Sequence, residues 1–322
     1  MNSADSAANC PVCGSVEVYG FAQARDVEYY TSDHLYSYFQ CGVCGSVYLE
    51  NPPADRLSEI YPPNYYSYQS KGSSKSFIES AKEFLDTRLF RRLLTGIPGE
   101  SLSILDVGGG AGWLLSTARK ASARVRKTHE LDIDETARAA AESAGHVFHC
   151  SRVEDFSFAE RFDLILMLNL IEHVADPASV IVAMRKLLAP RGLLLIKTPN
   201  VDTLDCRIFR DHNWGGFHCP RHFVLFNRKS IEDLGQKCGL EVQSAFYTQG
   251  APQWACSILG WLGLKGRLRI SAVRPLYTHP LYPLVCALAA VFDLVRSPFM
   301  TTAQMFVVFR LPECADNDFN RD

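Results

Sequence analysis

Residues 104–115 read ILDVGGGAGWLL: an apolar run carrying Asp106, a turn with glycine at four of its five positions, then an apolar restart. A strand that enters a glycine turn and opens a helix is the repeating unit of an α/β protein with a parallel sheet. Such sheets bind ligands at the carboxyl ends of their strands, where this turn falls. Glycines let the backbone bend sharply and come close to a ligand. The dinucleotide form G-x-G-x-x-G, started at Gly108, would need its last glycine at Trp113, so it fails; no Gly-Lys-Ser/Thr follows to make a phosphate cradle.

Working outward, residues 77–94 have helical spacing of apolar positions, and 125–131 form a second strand candidate before an alanine-rich helix at 135–144. Residues 162–168 (FDLILML) form a continuous apolar run, the pattern of a strand buried on both faces. A helix at 177–188, a strand at 192–197 and a helix at 230–238 stopped by Gly239 continue the alternation. Residues 304–311 (QMFVVFRL) read as a closing strand. The organisation is thus residues 1–50 with paired cysteines, a Pro/Tyr/Ser-rich connector at 51–76, and an α/β domain over 77–322 interrupted by an apolar insertion near 250–300.

The 33 Lys and Arg against 35 Asp and Glu give no global basic field, which argues against nucleic acid as partner. The start, MNSADSAANCP, lacks the basic-then-apolar pattern of a secretion signal, so a cytoplasmic chain is expected.

The D-x-G-x-G-x-G arrangement of Asp106, Gly108, Gly110 and Gly112 resembles motif I of class I S-adenosylmethionine (SAM)-dependent methyltransferases. The resemblance implies a Rossmann-like seven-stranded sheet, with SAM held by that loop. It further implies an acid after the second strand for the ribose hydroxyls; Asp132 fits best, with Glu130 and Asp134 as competitors and Asp134 also suited to capping a helix. By the same likeness Asp155 meets the adenine amino group, and Asn169, after the fourth strand, lines the pocket. The similarity extends to residues 197–200 (KTPN).

A weak nucleophile needs a base, and three histidines are candidates to weigh: His173, His218 and His222. Related quinone-pathway enzymes carry Glu-x-x-Glu-His as part of a divalent metal site; here Asn169 replaces the first Glu, which favours a structural role for Glu172 and His173 over a metal one. Residues 214–226 (WGGFHCPRHFVLF) resemble the Pro-x-His-x-x-x-Phe segment of many sugar, lipid and small-molecule methyltransferases, making His222 a candidate base and Arg221 a candidate for an anionic substrate group. His222 and His173 are the expected catalytic positions.

Cys10-Pro-Val-Cys13 and Cys41-Gly-Val-Cys44, each followed by glycine, have the spacing of two zinc knuckles that complete one tetrahedral site. A closed four-thiolate site predicts a structural zinc. The pattern resembles the N-terminal zinc-binding domain of some sugar C-methyltransferases. Tyr29, Tyr30, Tyr36, Tyr38, Phe39, Tyr61, Tyr65 and Tyr66 either line an acceptor cleft or form the small domain's core.

Residues 281–295 are apolar but interrupted by Pro283 and Asp293, too short to span a bilayer. A helical subdomain packed on the enzyme is the favoured reading, peripheral membrane contact the alternative. The expected activity is methyl transfer to a small-molecule, sugar or lipid-linked acceptor. An RNA methyltransferase and a non-catalytic SAM-binding protein are the competing readings.

Overall fold

The computed structural model describes residues 9–65 and 77–312, which carry two sheets. The larger is built from β4 (Leu102–Val107), β5 (Val125–Asp132), β6 (Val147–Cys150), β7 (Phe162–Leu168), β8 (Leu188–Pro199), β10 (Glu241–Thr248) and β11 (Gln304–Arg310), in the order β10-β11-β8-β7-β4-β5-β6. β11 runs antiparallel to both its neighbours and the other pairings are parallel. This is the Rossmann-like seven-stranded sheet expected from the sequence.

β7 explains its own composition. It lies between β4 and β8, with Ile165 and Met167 in the core on one face and Leu164 and Leu166 in the core on the other. Each such side chain contributes about 2 kcal/mol by leaving water. Helices α2 (Phe77–Thr95), α3 (Trp113–Ala121), α4 (Arg138–Ser143), α5 (Pro177–Leu187) and α7 (Arg228–Lys237) accompany the sheet. α5 starts at an Asp176 cap followed by Pro177, and α7 at a reciprocal Asn227–Ser230 capping box. The helix expected over 135–144 begins as a 3-10 turn, Glu135–Ala137, because Asp134 takes the Thr136 amide and hydroxyl at 3.0 and 2.7 Å.

From β4 the chain order runs to β5 and β6 on one side and to β7 and β8 on the other. The crevice this reversal opens lies beyond the carboxyl end of β4, directly at the glycine loop.

The second sheet holds β1 (Val18–Ala24), β2 (Tyr36–Cys41), β3 (Val47–Leu49) and β9 (Val224–Leu225). It is therefore not confined to residues 1–50. Tyr48 pairs with Val224 and Val47 with Leu225, so the cysteine module takes its fourth strand from the residues directly after His222. Of the connector, the one-turn helix α1 (Leu57–Ile60) is described; Tyr66 lies outside the described residues. The insertion forms α8 (Ala251–Leu264) and α9 (Tyr282–Arg296), a helical pair between β10 and β11, and α6 (Leu204–Phe209) packs against α8. No helix among the described residues is long and apolar enough to cross a membrane.

Candidate functional site

The glycine loop is held from beneath by acids. Gly108 N donates to Leu131 O at 2.7 Å, Gly109 N to Glu130 Oε1 at 2.8 Å, and Gly110 N to Asp132 Oδ2 at 3.0 Å. The backbone is left-handed at Gly110 (φ 61°) and Gly112 (φ 74°). At Gly109 the reason for glycine is steric: a Cβ there would sit 2.2 Å from Asp106 Oδ2 and 2.7 Å from Glu130 Oε2. Both oxygens are buried without a hydrogen-bond partner among the described residues. Burial, reinforced by neighbouring carboxylates, pushes Asp106 and Glu130 upward, Glu130 further. Asp132 is also raised, first by burial, but it is less enclosed and stands at the strand end with Oδ1 on the Asp134 amide at 2.9 Å. The three acids sit differently: Glu130 is buried under the loop, Asp134 caps a turn, and Asp132 is half-buried at the strand end.

Asp155 is an exposed acid in the turn after β6, and Asn169 is exposed at the carboxyl end of β7, its amide on Lys197 O at 2.8 Å and its φ at 55°.

Beyond β7 and β8 a second group assembles. Glu172 is fully buried, and neither of its carboxylate oxygens has a hydrogen-bond partner among the described residues; the Thr198 hydroxyl, next to it, is equally unpartnered. Burial pushes this carboxyl up to about 8. His222 Nδ1 lies 2.7 Å from Gly216 O and His173 Nδ1 2.9 Å from Arg221 O. A carbonyl only accepts, so both Nδ1 atoms carry the proton and each ring presents an unprotonated Nε2. Burial lowers His173 to about 3 and His222 well below its ordinary value, so both rings are neutral at pH 7. The two ring centroids are 4.7 Å apart. Tyr61 Oη reaches His173 Nδ1 at 2.9 Å; Tyr65 Oη and Glu28 Oε2 flank His218 at 3.1 and 2.9 Å.

One expectation needs correcting. Arg221 does not wait for a substrate anion. It is fully buried, donating to Asp26 Oδ2 at 2.8 Å and to Cys219 O at 3.1 Å, with its guanidinium 4.5 Å from the Tyr29 ring centre. It ties the cysteine module to the His222 segment. Among the aromatics, Tyr38 is buried in the module, Tyr61 and Tyr65 hydrogen-bond to His173 and His218, and Tyr29 packs edge-on to His218. Asp26, Glu28 and His218 had no assigned role from sequence. Asp26 carries a short-range signal, an acid two and three residues before the amides it accepts from, but its partnership with Arg221 spans most of the chain.

The four cysteine sulfurs lie within 4.8 Å of one another, with Cys10–Cys44 at 3.7 Å and Cys13–Cys41 at 3.5 Å. Ligand atoms of Glu172, His173 and His222 form a second group within the same span.

A family model described as a methyltransferase domain matches residues 77–245. A ubiquinone biosynthesis O-methyltransferase of Cereibacter sphaeroides is 35% identical over 114 residues, 34% of this chain and 46% of the relative. The chain thus spans about half the length of the first curated relatives it matches. One of the same name from Parvibaculum lavamentivorans is 37% identical over 221 residues, covering 64% of this chain and 82% of the relative. Among solved structures, coclaurine N-methyltransferase bound to N-methylheliamine and SAH superposes with TM-score 0.52 at 14% identity, over 80% of this chain and 81% of that one, a likeness of fold.

Proposed function

The chain belongs to the methyltransferase-domain family, and from that premise we propose that it transfers a methyl group from SAM to a small-molecule, sugar or lipid-linked acceptor. The observation that carries the reading is the glycine loop at the sheet's switch point, clamped by Glu130 and Asp132 through consecutive amides. The bound cofactor supplies the electrophilic methyl; the protein supplies position. Asp132 accepts from the ribose hydroxyls, the open space beside Gly110 admits the amino-acid end, Asp155 meets the adenine amino group and Asn169 lines the wall. Asp106 and Glu130 lie buried beneath the loop, and a cationic sulfonium bound above it favours their ionised forms.

The relatives' names favour an oxygen nucleophile. A hydroxyl that attacks in line must lose its proton, and the neutral Nε2 atoms of His222 and His173, backed by Glu172, are placed to take it. The same three residues fit the divalent cation that the Glu-x-x-Glu-His resemblance implies, although Asn169 supplies no carboxylate. Two imidazoles whose N–H groups are bound to carbonyls, facing a carboxylate that burial leaves without a close hydrogen bond among the described residues, fit the outer-shell pattern of a metal site. A cation there would polarise an acceptor oxygen.

We further infer a structural zinc on Cys10, Cys13, Cys41 and Cys44. A tetrahedron with Zn–S near 2.3 Å has sulfur–sulfur edges of about 3.8 Å, against 3.7 Å for Cys10–Cys44 and 3.5 Å for Cys13–Cys41.

Calorimetry with SAM on the wild-type chain and on Asp132→Asn tests the core of the reading. Binding that Asp132→Asn weakens supports it; a wild-type chain that takes up no heat with SAM overturns it. Turnover on candidate acceptors follows.

A further inference from the structure

Helix α9 has two unlike faces. Tyr282, Val285, Ala289, Asp293 and Arg296 turn inward; Asp293 accepts from the Trp254 indole at 3.0 Å and the Gly250 amide at 2.8 Å, which pins the helix to α8. The outward face is a stripe at helical spacing: Leu284, Leu288, Val291 and Val295, extended past the helix end by Phe299. These are large apolar side chains in water, with Leu288 64%, Val295 69% and Phe299 86% exposed. A contiguous apolar stripe of this kind marks a contact surface.

The charge around it says which kind. No Asp or Glu occurs between Glu241 and Asp293. That stretch carries Lys265, Arg267, Arg269 and Arg274, all exposed, all on the connection that leads from α8 into α9, and none in a salt bridge among the described residues. Val273, 91% exposed, stands among them. A soluble protein partner of mixed charge gives no reason for acids to be missing over such a length. An anionic lipid surface does: phospholipid headgroups attract the cations and the acyl boundary receives the stripe. Since no described helix is long enough to span, the helix would lie in the plane of the interface.

We propose that α9 and the basic connection before it dock this protein on an anionic phospholipid bilayer. The 3-10 turn Leu276–Thr278, which precedes α9, places Tyr277 Oη 2.6 Å from Asn64 O and its ring 5.4 Å from that of Tyr29, which in turn lies 6.2 Å from the His218 ring.

The test is flotation of the full chain with vesicles of phosphatidylcholine alone and of phosphatidylcholine mixed with phosphatidylglycerol. The chain is expected to float with the mixed vesicles and to stay behind with the neutral ones. Leu288→Glu with Val295→Glu should abolish flotation with unchanged thermal stability, since both side chains are already in water. Lys265→Gln with Arg267→Gln should lower the partition coefficient by roughly 30-fold. Failure of the wild-type chain to float with anionic vesicles overturns the proposal, as does undiminished flotation of the Leu288/Val295 variant. A wild-type dimer that this variant turns into a monomer would also overturn it, by assigning the stripe to a second copy.

Discussion

His222 holds Nε2 3.9 Å from Glu172 Oε1, and the carboxylate has no hydrogen-bond partner on either oxygen among the described residues. The pair is assembled from distant sequence, Glu172 from the turn after β7 and His222 from the segment that β9 pins to the cysteine module. His222→Ala is expected to leave SAM affinity unchanged while lowering kcat by ~10²–10⁴, the range for loss of a positioned proton acceptor. Calorimetry and single-turnover kinetics check the two halves separately. Normal cofactor binding with full turnover removes His222 from the mechanism.

Gly109→Ala should break cofactor binding. Its Cβ would overlap two buried carboxylate oxygens that cannot swing away without leaving the core. Overpacking of this kind costs ~1–3 kcal/mol, and the displaced loop loses its bonds to Glu130 and Asp132. The expected result is a folded protein, slightly less heat-stable, with SAM affinity down at least ~10-fold. An unchanged dissociation constant sinks this view of the loop.

The same carboxylates predict a pH dependence. Asp106 is raised from 3.8 to about 7, first by burial and then by Asp132, and Glu130 is raised too, by burial and Asp106. Acids with raised folded values are neutral in the fold while the unfolded chain ionises. The contribution of Asp106 to stability is therefore present below pH 4 and lost as pH rises through about 7, while that of Glu130, raised further, goes on falling above that. The charged groups facing one another here are Asp106, Glu130, Asp132 and Asp134. A cationic ligand favours their ionised forms, so the rise in Tm on adding SAM should grow between pH 5.5 and 8, values chosen about the Asp106 midpoint. Asp106→Asn removes the group that titrates in this window and should flatten that growth. A SAM-induced shift independent of pH in the wild-type chain contradicts it.

The strands and the glycine loop were legible because their signals are local: apolar runs such as 162–168 need no knowledge of what packs on them. Asp132, Glu130 and Asp134 are alike in sequence, since alternate positions share a strand face; in the fold they differ in depth, Glu130 buried under the loop and Asp132 half-buried at the strand end. What could not be read is pairing across the chain. Arg221 looked free to hold an anion because Asp26 lies 195 residues earlier. Likewise the paired cysteines marked a module, but nothing local in Val224–Leu225 announces that two residues after a histidine join its sheet.

That long-range pair makes its own prediction. Asp26 and Arg221 have fully buried side chains; burial alone would raise Asp26, but the guanidinium outweighs it and holds the carboxyl below its usual range. Asp26→Ala leaves a buried cation and should cost ~3–5 kcal/mol, whereas Asp26→Leu combined with Arg221→Met should cost less than either single change. Urea titrations of the set decide. A double variant as unstable as the sum of the singles contradicts the pairing.

The cysteine cluster gives the last test. If Cys10, Cys13, Cys41 and Cys44 hold zinc, elemental analysis finds one zinc per chain, and Cys44→Ser loses it. Metal removal unfolds what only the metal organises. Here that includes the pairing of β3 with β9, and hence the anchor of His222, but not the sheet that carries the glycine loop. Chelation is therefore expected to depress turnover while SAM still binds. Loss of both together would mean that the module supports the whole domain; loss of neither would mean that the cysteines bind nothing the enzyme needs.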